Sequence, residues 1–186
     1  MRAAGFVLVG GKSARMGQDK ALLLWHSRHL VEKVAATVAA VTGTVTLVGQ
    51  PERYRNLKIP CLPDGRHGLG PLAGIEAVLE TGQGEWNLII GCDMPGISIA
   101  VLRCLLDKAG QTSALCVAAQ DITGQIHPLC AVYHRRCLPA VKQSLDTGRL
   151  KLMNVLEDLQ AEHILVQTKL ENINTPEDWL RWQQLS

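Results

Sequence analysis

Residues Ala4–Val9 form a short apolar run with no polar alternation, the pattern of a strand buried on both faces. Trp86–Ile90 repeats it. Such strands need helices on both sides, and the sequence supplies them. Leu30, Val34, Val38 and Val41 recur at helical spacing, predicting a helix over about Arg28–Val41 that stops near Gly43. Further helices are expected at Pro71–Leu79, Ile99–Ala109, Arg136–Leu145, Leu150–Leu159 and Pro176–Gln184. Between them lie candidate strands at Thr44–Val48, Leu57–Leu62, Ser113–Ala118, Ile126–Tyr133 and His163–Val166. Strands alternating with helices of this length imply an α/β fold with a mainly parallel sheet.

The length of 186 residues suits one domain, and no linker divides the chain. Hydrophobic residues at 47% and charged residues at 19% exclude a disordered chain. Aromatics are only 4%, so the core is expected to be aliphatic. A net charge of +2 argues against a nucleic-acid partner. None of the six cysteines forms a CxxC pair, so zinc-ribbon and thioredoxin readings fail and a reduced, cytoplasmic protein is expected. No targeting segment is read: Gly10-Gly11-Lys12 interrupts the apolar start. The uncharged stretch Val34–Pro51, rich in Thr and Gly, does not read as a membrane span.

In open α/β sheets, ligands bind beyond the carboxyl ends of the strands. Three segments fall there. After the first strand comes Gly10-Gly11-Lys12-Ser13-Ala14-Arg15-Met16-Gly17-Gln18-Asp19-Lys20. Its glycines let backbone N–H groups approach an anion, while Arg15 and Lys20 add charge. It is not a Walker A loop, because the required earlier glycine position is Phe6. Nor is it the dinucleotide fingerprint, because Lys12 follows Gly10-Gly11. The second segment is Gly91-Cys92-Asp93-Met94-Pro95. An acid at a strand tip can hold Mg²⁺, or simply cap the following turn. The third, Asp64 to Ile75, is a glycine-rich loop entering a helix start, which favours anions but also suits a plain surface loop. His26 and His29 are more economically read as surface histidines than as metal ligands, and Trp179 and Trp182 as packing or a dimer contact than as a stacking site.

The run Gly-Gly-Lys-Ser-Ala-Arg-Met-Gly-Gln-Asp-Lys-Ala-Leu resembles the signature of the MobA-type molybdenum cofactor guanylyltransferases, within the nucleotidyltransferase superfamily. Gly70-Pro71-Leu72-Ala73-Gly74, Cys92-Asp93-Met94-Pro95, His127-Pro128 and Asn172-Ile173-Asn174-Thr175-Pro176-Glu177 follow in the family's order. The resemblance implies a single Rossmann-like nucleotidyltransferase domain over residues 1–186, its N-terminal half binding GTP and its C-terminal half molybdopterin. It implies transfer of GMP from GTP to the terminal phosphate of molybdopterin, with release of pyrophosphate. Leu8, Val9 and Gly10 would face the guanine base and ribose, Gly11 and Asp64 would bind the nucleotide, and Lys20, helped by Arg15, would meet the triphosphate. Asp93 would hold Mg²⁺, the implied cofactor. His127, Asn172 and Asn174 would lie on the pterin side. Transient contacts with molybdoenzymes or other cofactor-biosynthesis proteins are compatible with this, and the chain could work as a monomer.

Two departures from the family pattern stand out. The usual glycine of a turn after the Asp-Lys element is replaced by Trp25-His26-Ser27-Arg28-His29, so that turn must be built differently. Val48-Gly49-Gln50 stands where an Asn often helps bind nucleotide. Alternatives are a same-fold enzyme using another nucleotide or acceptor, such as a cytidylyl or sugar-phosphate enzyme, and a catalytically impaired cofactor-delivery module.

Overall fold

The computed structural model describes residues 2–10, 18–66 and 68–185; Gly11 and Arg15 of the expected site lie outside the described residues. In chain order, strand β1 (Ala3–Leu8) leads to a hairpin of β2 (Leu24–Trp25) and β3 (Arg28–His29). Helix α1 (Leu30–Thr42), β4 (Thr46–Gly49), α2 (Pro51–Tyr54) and β5 (Cys61–Pro63) follow. Then come α3 (Pro71–Glu80), β6 (Trp86–Gly91), α4 (Ile99–Ala109), β7 (Cys116–Gln120) and β8 (Ile126–His134). The chain continues through α5 (Leu138–Asp146), α6 (Leu152–Asp158), β9 (Glu162–Leu165) and α7 (Pro176–Leu185).

Seven strands form one sheet in the order β5-β4-β1-β6-β8-β7-β9. Alternate residues of the apolar runs serve opposite faces. Val7, Leu88 and Ile90 join Val34, Val38, Leu102 and Leu105 in one core layer, against α1 and α4. Phe6, Leu8 and Ile89 join Ile75, Val78, Val141 and Val155 in the other, against α3, α5 and α6. This two-sided burial is why those strands lack polar alternation.

The pairing is parallel from β5 to β6 and between β7 and β9, but β8 runs antiparallel to both β6 and β7. The chain builds outward from β1 to β4 and β5, then crosses to β6 on the other side of β1. The crevice at that switch opens at the carboxyl ends of β1 and β6. Because β8 is antiparallel, its first residues, His127 included, lie beside the end of β6, as the pairing of Ile90 with Cys130 requires.

Two expectations are corrected. The segment Leu57–Leu62 is not a strand throughout: Arg55–Leu57 is a 3₁₀ turn, Lys58 is left-handed (φ +54°), and pairing starts only at Cys61. Leu57 and Ile59 instead pack on the α1 layer, which explains their apolar spacing. The first long helix starts at Leu30 rather than Arg28, with Glu32 accepting a hydrogen bond from the His29 N–H (2.7 Å). His26 stands in the hairpin between β2 and β3, ahead of that helix. That hairpin closes with His26 (φ +44°) and Ser27 (φ +65°) both left-handed, a conformation usually left to Asn and Gly. It is the unusual turn that the missing glycine demanded. Among the described residues, no helix is long and apolar enough to cross a membrane.

Candidate active site

The carboxyl ends of β1, β4 and β6 are locked together by backbone. The Val9 N–H donates to the Val48 carbonyl (2.9 Å), and the Cys92 N–H to the Leu8 carbonyl (3.1 Å). Leu8 and Val9 are buried, each in a different core layer, so neither offers a side chain to a ligand. A Cβ at Gly74 would meet Leu8 at 2.7 Å, and one at Gly49 would meet the Val9 carbonyl oxygen at 2.5 Å. The strand tips can close this tightly only with glycine there. Gly10 is exposed and left-handed (φ +82°), turning the chain out of the sheet into the loop.

The far end of that loop returns at Asp19. Its side chain accepts from the Ala21 N–H (3.0 Å) and from the Tyr54 hydroxyl (2.7 Å), with the Arg53 guanidinium at 3.5 Å. Tyr54 is fully buried; burial and then Asp19 push its hydroxyl far above its ordinary value. The same hydroxyl would lie 3.7 Å from a Cβ on Gly10. One tyrosine of α2 thus stands under both ends of the glycine-rich loop. The motif analysis missed it, although Pro51 at a helix start is a usable signal.

Lys20 follows Asp19 in a short 3₁₀ turn and reaches across the crevice. Its Nζ donates to the Ile173 carbonyl (2.9 Å) and to Asn174 Oδ1 (3.0 Å), and stands 3.8 Å from Asp93 Oδ2. Three segments distant in sequence therefore meet at one ammonium. Asp93 leaves the tip of β6, where a Cβ at Gly91 would lie 2.6 Å from its Oδ1. Burial raises the carboxyl pKa of Asp93, against the lowering effect of Lys20 and, more weakly, His127.

The other expected residues divide. Asn174 joins Lys20 directly, and its N–H is held by Asp178 Oδ2 (3.0 Å) at the start of α7. Asn172 Oδ1 is buried with no hydrogen-bond partner among the described residues. His127 lies on β8 beside the end of β6, but is 3% exposed and engaged: its Nε2–H donates to Asp121 Oδ2 (3.3 Å). Asp64 sits at the tip of β5, two strands from β1. The loop after it is tethered, for Arg66 pairs with Glu76 on α3 (2.8 Å) and with Asp146 on α5 (2.6 Å). Tyr54 and Asp121 fix this geometry but were absent from the motif reading; Ile173 stood within a motif without a role of its own.

The donor set bears on the expected metal. Mg²⁺ uses one or two protein carboxylates and completes its shell with phosphate oxygens and water. Asp93 offers one partly exposed carboxylate, and among the described residues no three His, Cys, Asp or Glu side chains cluster as a metal cage. This set fits an ion that arrives with a polyphosphate rather than one held by protein alone.

Comparison with known proteins bears on the family. The family model of the MobA-like NTP transferase domain matches residues 5–164. A "Probable molybdenum cofactor guanylyltransferase" of Nostoc sp. is 35% identical over 181 residues, covering 92% of this chain and 86% of its own. One of the same description from Flavobacterium johnsoniae is 30% identical over 177 residues, covering 93% and 92%. Among solved structures, molybdopterin-guanine dinucleotide biosynthesis protein A from Archaeoglobus fulgidus superposes with a TM-score of 0.82 at 22% identity, covering 98% of this chain and 97% of that one. The 2-C-methyl-D-erythritol 4-phosphate cytidylyltransferase from Thermus thermophilus shares the fold, with a TM-score of 0.73 at 16% identity over 100% of this chain and 98% of that one. By the extent of the domain match and the identity to relatives over nearly its whole length, this chain belongs to the MobA-like NTP transferase family.

Proposed function

We propose that this nucleotidyltransferase moves GMP from GTP to the terminal phosphate of the molybdenum-molybdopterin cofactor and releases pyrophosphate. The observation that carries the reading is the convergence of Lys20, Asp93 and Asn174 at the switch crevice of the sheet. The names of the relatives support guanine and pterin as the substrates, and the geometry is compatible with phosphoryl chemistry at this crevice.

The residues act by charge and position. Lys20 exchanges its contact with Asn174 for the triphosphate, whose charge it neutralises, and keeps the one to the Ile173 carbonyl. Arg15 and the amides of the loop around Gly10 and Gly11 complete the phosphate cradle. Asp64 serves the nucleotide from the tip of β5, and the closed strand tips at Leu8 and Val9 form the floor of the nucleotide half. Asp93 would hold a Mg²⁺ ion arriving with the nucleotide, and that ion would supply charge neutralisation to the polyphosphate. The acceptor is a phosphate monoester with a second pKa of about 6, so it is largely dianionic at neutral pH and needs no general base. Release of Asn174 by Lys20 leaves its Oδ1 free for the pterin side, alongside Asn172 and His127.

The test is turnover with α-labelled GTP, Mg²⁺ and molybdenum-molybdopterin, separating products by chromatography. A labelled dinucleotide and stoichiometric pyrophosphate are expected. Turnover only with CTP or with a sugar phosphate would replace this reading with another nucleotidyl transfer. Nucleotide binding without turnover under saturating substrates would make the chain a cofactor-delivery module.

A further inference from the structure

The residue between the two candidate asparagines does what neither neighbour does. The Ile173 N–H donates to the Asp93 carbonyl (2.8 Å), and the Ile173 carbonyl accepts from Lys20 Nζ (2.9 Å). Its two backbone groups thus span the two charged residues of the site. The Ile173 side chain is buried in a small apolar cluster with Leu23, Leu30 and Trp182. Leu23 belongs to the same turn as Lys20, its N–H donating to the Lys20 carbonyl (3.2 Å). Leu30 is fixed to that turn through the Leu23 carbonyl (2.8 Å).

Trp182, on α7, closes the cluster. Its ring lies 4.9 Å from that of Trp25 on the hairpin and 5.5 Å from that of Trp179, and the Lys33 ammonium sits 4.7 Å from the Trp25 ring centre. The start of α7 is also fixed, with Asp178 accepting from the N–H groups of Asn174 (3.0 Å) and Thr175 (2.9 Å). The segment carrying Ile173 is therefore seated from both sides.

We infer that Ile173 is a positioning residue for Lys20 and Asp93: its backbone bridges them, and its side chain, seated against Leu23 and Trp182, sets their separation. The inference rests on the reading of Lys20 and Asp93 as reacting groups under the proposed function. A lysine has a flexible four-carbon stem, and its ammonium is useful in an active site only if held near its working place before the substrate arrives. The Ile173 carbonyl does this without adding a competing charge. Substitution can move a backbone carbonyl but not delete it, so the seat of the Ile173 side chain is the lever the sequence offers.

The test compares wild type, Ile173→Ala, Ile173→Val and Trp182→Phe, each first shown to be folded by near-ultraviolet circular dichroism. An amine-reactive ester is applied without substrates, and labelling of Lys20 is followed by peptide mass spectrometry against exposed Lys58 and Lys151 as internal standards. Loss of one hydrogen bond to the ammonium should raise Lys20 labelling about fivefold in Ile173→Ala, leaving the standards unchanged. Ile173→Val should return it towards wild type. In turnover, kcat of Ile173→Ala should fall about a hundredfold, as a displacement of order an ångström does, while KM for nucleotide moves by less than about threefold. Trp182→Phe should show the same pattern more weakly, and carries the test if Ile173→Ala does not fold. Wild-type Lys20 labelling in a folded Ile173→Ala, or in Trp182→Phe taken in its place, would overturn the inference. If Lys20 is loosened but no variant, nor the wild type, transfers GMP, the bridge stands and the proposed reaction fails instead.

Discussion

Asp93 and Asp121 leave strands β6 and β7, which run the same way and are separated only by β8, yet their surroundings are opposite. Asp121 is buried and saturated. One oxygen accepts from the Thr123 N–H (2.8 Å), the Thr123 hydroxyl (2.6 Å) and the Gln125 N–H (3.2 Å); the other accepts from His127 (3.3 Å) and the Leu170 N–H (3.3 Å). Burial alone would raise its carboxyl pKa, but these donors outweigh it and hold the group far below the usual carboxylate range. For Asp93 burial wins, and the nearest cation stands at 3.8 Å. A carboxylate supplied with all its hydrogen bonds has nothing left for a ligand. One that is desolvated and under-compensated gains by taking a cation. The difference separates a structural acid from a candidate metal ligand better than strand position does.

The largest expected effect breaks the comparison at Asp93. Asp93→Asn should lower turnover by about a hundredfold or more, since under the proposed function this carboxylate holds the metal and has no neutral substitute. Its melting temperature should not fall, because a buried charge with incomplete compensation has been removed. Unchanged turnover would remove Asp93 from the site. Next is Lys20→Ala, which should weaken nucleotide binding about tenfold or more, by loss of charged hydrogen bonds, and slow turnover as well. Calorimetry and steady-state kinetics on one preparation check both.

Asp121→Asn should do the reverse of Asp93→Asn. It should destabilise the fold by about 1–3 kcal/mol, since buried donors lose their acceptor, as denaturant unfolding would record. The pH dependence has a definite sign. The folded-state pKa of Asp121 lies below that of the unfolded chain, so its contribution is complete above the unfolded value of about 4 and is lost progressively as pH falls below it. Unfolding free energy of the wild type should therefore drop more steeply below about pH 4 than that of Asp121→Asn. Equal slopes would mean that Asp121 is not the structural member of the pair. The smallest effect is Ser27→Gly in the hairpin, where relief of a left-handed residue should stabilise by about 0.5–1 kcal/mol while touching neither aspartate. A change in turnover there would show that general rigidity, rather than the carboxylates, governs activity.

Much of this was legible locally. Gly10, Asp93 and Lys20 stand in short motifs at strand ends, and in an α/β chain a strand end is already a place in the site. The two-sided strands announced themselves by continuous apolar runs, and the altered turn at Trp25–His29 by its missing glycine. What was not legible depends on pairing across the chain. Periodicity marks β8 as a strand but does not say that it runs antiparallel, which is what brings His127 beside the end of β6. Asp121 reads as an ordinary turn residue until Leu170 and His127 fold onto it. Tyr54 is informative only once Asp19 and Gly10 lie above it. Leu57 and Ile59 show the converse failure: their spacing imitates a strand, but it serves helix packing.

The proposed function requires that the crevice bind GTP together with Mg²⁺. Calorimetric titration of the wild type with GTP, CTP, ATP and UTP, each with and without Mg²⁺, addresses it most directly. The account predicts binding selective for GTP and strengthened by Mg²⁺, with that strengthening lost in Asp93→Asn. Preference for another nucleotide, or GTP affinity indifferent to both Mg²⁺ and Asp93, would contradict it.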